Sequence, residues 1–149
     1  MRAVVQRVTE ARIDVDGACV ARMGPGLLVL VGVSKRDAMA DADELARKLV
    51  GLRIFEDETG RMNRSLVETG GTLGLVSQFT LLADARKGRR PGFADAADAD
   101  QARPLFDAVV ESAAQLSVPV VTGRFGATMR VALVNDGPVT LLLDTERRF

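Results

Sequence analysis

Residues 2–8 (RAVVQRV) and 11–16 (ARIDVD) alternate apolar and polar positions, the period-two pattern of half-buried β-strands. Asp16-Gly17 supplies hairpin-turn chemistry before a third short strand, Ala18 to Arg22, and together the segments predict a meander of short antiparallel strands. Met23-Gly24-Pro25-Gly26 interrupts the alternation, and LLVLVGV follows with no polar face. A β-branched-rich run of that length, bounded by turn formers, is predicted as the central strand, buried on both sides.

From Asp37 the period changes. Ala42, Leu45, Ala46, Leu49 and Val50 fall at i, i+3, i+4, i+7 and i+8, with acidic residues early and Arg47-Lys48 late, so a one-faced helix ending near Gly51 is expected. Leu52 to Phe55 reads as a short strand, Glu56 to Gly60 as an exposed turn, and Thr72 to Thr80 as a strand opened by Gly70-Gly71. Residues 84–101 read as a loop, basic in ADARKGRR and acidic in FADAADAD, the acidic part leading into a second helix. Its stripe is Ala102, Leu105, Phe106, Val109, Val110 and Ala113, with Pro104 tolerable in a first turn and Pro119 as the stop. Two strand patterns, Val120 to Thr122 and Thr128 to Val134, precede Asn135-Asp136-Gly137-Pro138 and a last apolar strand, Val139 to Leu143. This order predicts an α+β fold of mixed and antiparallel sheets with two main helices.

The 149 residues, 47% hydrophobic and 27% charged, suit one globular domain, residues 1–149. No apolar run approaches the roughly 18–20 residues that cross a bilayer. The N-terminus also lacks the apolar segment of a secretory signal, so a cytoplasmic protein without membrane contact is expected. Histidine is absent altogether, which excludes a Ser-His-Asp or Cys-His pair, an H-E-x-x-H site and an imidazole base within this chain. Cys19 is the one cysteine, so neither an intrachain disulfide nor a thiolate zinc cluster can form. Scattered Asp and Glu show no metal spacing, and no metal or cofactor is expected. Lys plus Arg and Asp plus Glu are both 20, leaving polyanion binding to be decided by local clusters.

Three segments could carry chemistry. Ser77-Gln78-Phe79-Thr80 ends an apolar strand with a hydroxyl and an amide; the ordinary reading is that Ser77 and Thr80 satisfy backbone groups where the strand stops. Asn135-Asp136-Gly137-Pro138-Val139-Thr140 reads first as a β-turn, and less ordinarily as a site with a cis Gly-Pro peptide. Arg86-Lys87-Gly88-Arg89-Arg90-Pro91-Gly92-Phe93 is either a solvated charged loop or a place for a phosphate backbone, with Phe93 free to stack or line a pocket.

In their order these segments resemble the D-aminoacyl-tRNA deacylase family. Gln6-Arg7-Val8, Gly26 to Leu30 with Gly32-Val33, Arg53-Ile54-Phe55 and Met62-Asn63 match, as do SQFT at 77–80, Arg90-Pro91 with Phe93, TGRFGA at 122–127 and NDGPVT at 135–140. The resemblance spans Met1 to about Leu143, and SQFT with NDGPVT at this separation is a specific pair. It implies a barrel-like core and a homodimer with active sites at the subunit interface. The activity implied is hydrolysis of the ester joining a D-amino acid, or glycine, to the 3′-terminal adenosine of tRNA.

The resemblance implies that the Gly137-Pro138 peptide is cis and enters the partner's active site, its carbonyls standing where an L side chain would project. Arg7 is implied to orient those carbonyls, although a surface strand arginine in a salt bridge reads equally well from the residues alone. Arg90, Pro91, Phe93, Phe125 and Ala127 are the implied substrate-binding residues. Backbone N–H groups around Phe79 and Thr80, flanked by Ser77 and Gln78, are expected to form an oxyanion hole. With no base beside Thr80, proton traffic through the ribose hydroxyl is favoured over a covalent threonine. Gly92 stands where many relatives are expected to carry a serine-like residue, and 144–149 is expected to be a surface tail. A relative with a trans Gly-Pro acting on mischarged L-aminoacyl-tRNA, and a non-catalytic module binding nucleotide or RNA ends, are the alternatives.

Overall fold

The computed structural model describes residues 1–148. Along the chain run β1 (Arg2–Val15), β2 (Ala18–Met23), β3 (Gly26–Gly32), α1 (Met39–Gly51), β4 (Phe55–Glu56), β5 (Met62–Arg64), α2 (Leu66–Thr69), β6 (Thr72–Ser77), α3 (Ala99–Gln115), β7 (Val120–Thr122) and β8 (Met129–Asp144). β1 is the spine of the main sheet. β8 runs antiparallel along one edge of it; β3 pairs with its first half and β2 with its second half on the other. β6 and β7 add to β3 in parallel, so the sheet is mixed, and it curls into a nearly closed barrel.

The β1–β2 hairpin turns at Asp16 (φ 50°) and Gly17 (φ 79°), the paired positive dihedrals that suit a two-residue hairpin and explain why Asp-Gly stands there. β3 is buried on both faces as its pattern predicts. Leu27, Val29 and Val31 pack with Leu45 and Leu49 of α1 and Phe106 and Val109 of α3, while Leu28 faces Val8, Ala11, Ile13, Met23 and Val76 inside the barrel. α1 opens with the Ala38 N–H donating to the Asp41 carboxylate at 2.9 Å, and α3 with the Gln101 N–H donating to Asp98 at 2.9 Å.

Several boundaries differ from the sequence expectation. Residues 2–15 form one strand, because register irregularities between Gln6 and Glu10 switch the face on which apolar residues are buried, from Ala3 and Val5 to Val8, Ala11 and Ile13. Met129 to Asp144 is also one strand, running through Asn135–Pro138 rather than turning there. β6 ends at Ser77, and Phe79–Leu82 form a 3₁₀ turn. Of the expected 52–55 strand only Phe55 is strand, β4 continuing into Glu56 of the expected turn, and α2, capped by Ser65 and Glu68, falls where the sequence reading has no helix. α3 starts at Ala99, which places Pro104 beyond the first turn, and it stops at Gln115, short of Pro119. The expected surface tail is tied down: Asp144 pairs with Arg2 at 3.2 Å and Glu146 with Arg36 at 2.7 Å, while Phe149 lies outside the described residues. No helix among the described residues is long and apolar enough to cross a membrane.

Candidate active site

Beyond β6 the Gln78 N–H donates to the Val31 carbonyl at 2.8 Å, the last rung of the ladder. The chain then tightens, with Leu81 N–H donating to the Gln78 carbonyl at 3.2 Å and Ala83 N–H to that of Thr80 at 3.0 Å. A helical turn leaves its first N–H groups without internal partners. Here those groups belong to Phe79 and Thr80, and among the described residues neither has an acceptor. Both residues are exposed, and the Gln78 side-chain amide donates to the Thr80 hydroxyl.

The turn borders a cleft of about 470 Å³ lined in part by Ser77, Gln78, Phe79, Phe125 and Ala127. Val33, Val76, Ala102, Met129 and Val131 complete its apolar wall, and not one lining residue is ionisable. Phe125 is held against Phe106 with ring centroids 6.0 Å apart, under the Arg103 guanidinium at 5.4 Å. Phe93 reaches the same rim by an edge-to-face contact with Phe79, centroids 5.1 Å apart at 62°.

Phe93 arrives there through a hairpin. Asp84 and Gly92 exchange two backbone hydrogen bonds of 2.8 and 2.9 Å, closing the loop that carries the cationic cluster. Arg86 is neutralised by a two-pronged pair with Asp84, at 2.7 and 2.9 Å, which also holds the Asp84 carboxyl well below the usual carboxylate range. Lys87, Arg89 and Arg90 make no ion pair among the described residues. Arg90 lines a separate hollow with Asp84, Arg86 and Lys87, and neither it nor Pro91 lines the cleft. Thr80 also falls outside the lining, although it directly follows Phe79, which lines it.

The second motif sits on β8. The Gly137-Pro138 peptide is cis, both residues are exposed, and neither lines the cleft of its own chain. Arg7 is 5% exposed beneath them. Its Nε donates to the Asp136 carbonyl at 3.3 Å and lies 3.1 Å from the Asp136 carboxylate, while Nη1 donates to the Ile54 carbonyl at 2.6 Å. The carbonyl it reaches is thus the one before Gly137, and among the described residues it bonds neither the Gly137 nor the Pro138 carbonyl. Asn135, to which the sequence assigned no separate role, donates from Nδ2 to the carbonyls of Arg7 and Val139, each at 3.0 Å. A larger groove of about 700 Å³ crosses Thr9–Arg12, Arg22–Gly24 and Ala132–Val134; no candidate residue lines it. No cluster of potential metal ligands occurs among the described residues.

A family model described as D-Tyr-tRNA(Tyr) deacylase matches residues 4–144. Curated proteins named D-aminoacyl-tRNA deacylase are 58% identical in Kosmotoga olearia, covering all of both chains, and 56% identical in Symbiobacterium thermophilum, covering 100% of this chain and 99% of that protein. Among solved structures, a c-Myc DNA Unwinding Element Binding Protein superposes with a TM-score of 0.92 at 38% identity, over 97% of this chain and 99% of that one. A structure titled as a probable eukaryotic D-amino acid tRNA deacylase has a TM-score of 0.81 at 20% identity over 95% and 97% of the two chains, a likeness of fold.

Proposed function

The chain belongs to the D-Tyr-tRNA(Tyr) deacylase family and is a D-aminoacyl-tRNA deacylase, a hydrolase of the aminoacyl-tRNA ester; on that premise we propose how this molecule carries out and restricts the reaction. The carrying observation is the pair of unpartnered N–H groups at Phe79 and Thr80, beside a cleft without any ionisable side chain. Ester hydrolysis passes through a tetrahedral oxyanion, and preorganised donors in a largely apolar site stabilise it more than they stabilise the ground-state carbonyl. Phe79 and Thr80 supply those donors. With no histidine in the chain and no carboxylate or lysine in the cleft, the ribose hydroxyl adjoining the ester moves the proton. Phe125, Ala127 and the Phe79–Phe93 pair line the place of the amino acid and terminal adenosine, and Arg90 and Pro91 act from the hairpin, further out along the tRNA.

Chirality is set at Cα, since a site that accepts many side chains cannot select by gripping one. Gly137 and Pro138 serve this from the partner subunit in a homodimer. Supporting that arrangement, the two residues are exposed and outside their own cleft. β8 pairs among the described residues only with β1, and Val134 on it is 50% exposed. Arg7 holds the segment by the Asp136 carbonyl. The protein works as one domain in the cytoplasm, without metal.

Mixed dimers test the reading. Matched D- and L-tyrosyl-tRNA are given to purified protein with a chelator, then to a Phe79→Pro variant, a Gly137→Ala variant and a co-refolded mixture. A shared site predicts that the mixture regains D-specific turnover that neither variant has, because one intact cleft meets one intact loop. A mixture no more active or selective than its components refutes the cross-subunit arrangement.

A further inference from the structure

Between Asn135 and Thr140, β8 leaves its partner. On β1 only Arg7 separates the paired positions Gln6 and Val8, whereas Asp136 to Val139 separate their partners Thr140 and Asn135. The main chain therefore withdraws its cross-strand donors over this gap, and buried or half-buried carbonyls at its neck need others. Asn135 provides them: its single side-chain amide donates to the Arg7 carbonyl on β1 and to the Val139 carbonyl where β8 returns, both at 3.0 Å. Both amide hydrogens are used, so the group has one orientation, with its oxygen turned away from the neck. Arg7 is tied at the same time to the Asp136 carbonyl and carboxylate. The excursion is gripped at its start by one side chain and across its neck by the other.

We infer that Asn135 is a positioning residue for substrate chirality, the clamp that sets how far Gly137 and Pro138 stand from β1. The inference rests on the proposed reading of those two residues as the wall that excludes an L side chain. An error of a few tenths of an ångström there would admit the L ester before it harmed the D ester, because the D side chain points elsewhere. Asn135 touches no reacting atom; it acts through the backbone it holds.

The test compares Asn135→Asp, which keeps the shape but replaces both donors with acceptors, and Asn135→Ser, which keeps one donor, with the unaltered protein. Single-turnover hydrolysis of D- and L-tyrosyl-tRNA is measured at one temperature at which circular dichroism shows all three folded. The expected result is a D-to-L rate ratio lowered at least about tenfold in Asn135→Asp through a faster L reaction, with Asn135→Ser between. An unchanged ratio, or D and L rates that fall in parallel, overturns the inference, since a merely structural role would not move selectivity. If the unaltered protein hydrolyses both esters alike, the chirality reading itself fails and takes the inference with it.

Discussion

Removing one backbone N–H without removing the residue's place in the fold isolates the proposed oxyanion donors, and Phe79 permits it. Phe79 is the first residue of the 3₁₀ turn, its N–H has no acceptor among the described residues, and Gln78 before it has φ −144° and ψ 85°, outside the helical region that proline disfavours in its predecessor. Phe79→Pro therefore deletes a donor at little cost to the fold. It also deletes the ring, which is 57% exposed and in edge contact with Phe93. Phe79→Ala is the control, losing the ring, worth about 0.5–1.5 kcal/mol beyond its burial, but keeping the N–H. Loss of one oxyanion donor lowers kcat about 10²–10³-fold, about 2.7–4 kcal/mol. Single-turnover hydrolysis of D-tyrosyl-tRNA should thus separate Pro from Ala by that factor, with similar thermal midpoints. Thr80→Ala, which loses a hydroxyl and keeps its N–H, should stay within about tenfold of the unaltered rate. Equal rates for Phe79→Pro and Phe79→Ala, or abolished turnover in folded Thr80→Ala, would refute the backbone mechanism.

Gly137→Ala should lose L rejection and D turnover together: at φ 122° a methyl is strained by about 1–3 kcal/mol, and its carbon would stand 2.7 Å from Val139 Cγ2 and 3.1 Å from Arg7 Nη2. Unchanged selectivity in the folded variant counts against the site. Replacing Lys87, Arg89 and Arg90 together by Ala should weaken tRNA binding and reduce the slope of log affinity against log salt by about 0.7 for each lost phosphate contact, read by filter binding across a salt series. Asp57 is held down to about 2, chiefly by the Thr59 hydroxyl and then by the N–H groups of Thr59 and Arg61. A depressed carboxylate contributes stability above its ordinary range and loses it as pH falls towards about 2, so the 57–61 turn should open only in that acid window, followed by the amide shifts of Thr59 and Arg61. Shifts centred at the ordinary carboxylate value would contradict the hydrogen-bond geometry.

Regular periodicity made β3, α1 and α3 legible in the sequence, because Leu45, Leu49, Phe106 and Val109 repeat with the helix and Leu27 to Val31 lack a polar face. Irregularity hid the rest. One change of face near Val8 split β1 in two, and the turn-forming composition of Asn-Asp-Gly-Pro concealed a strand that bulges without reversing. At the site, SQFT was visible as a segment, but strand alternation misplaces its side chains once the 3₁₀ turn begins after Gln78. The Phe79–Phe93 contact and the contributions of Met129 and Val131 depend on pairings between separate segments of the chain, for which local pattern carries no signal. The two donations of Asn135 needed the bulge to be known first.

In the proposed mechanism the donors are peptide groups, and the cleft walls carry no charge, an arrangement hard to edit by changing the genetic message. Most replacements at Phe79 or Thr80 alter shape yet leave the peptide nitrogen and its hydrogen in place; proline alone among the coded residues removes it. Drift at these codons can thus retune fit and affinity while the chemistry persists. To remove a proposed donor, a lineage must either take proline at one of these two positions or reroute the backbone itself.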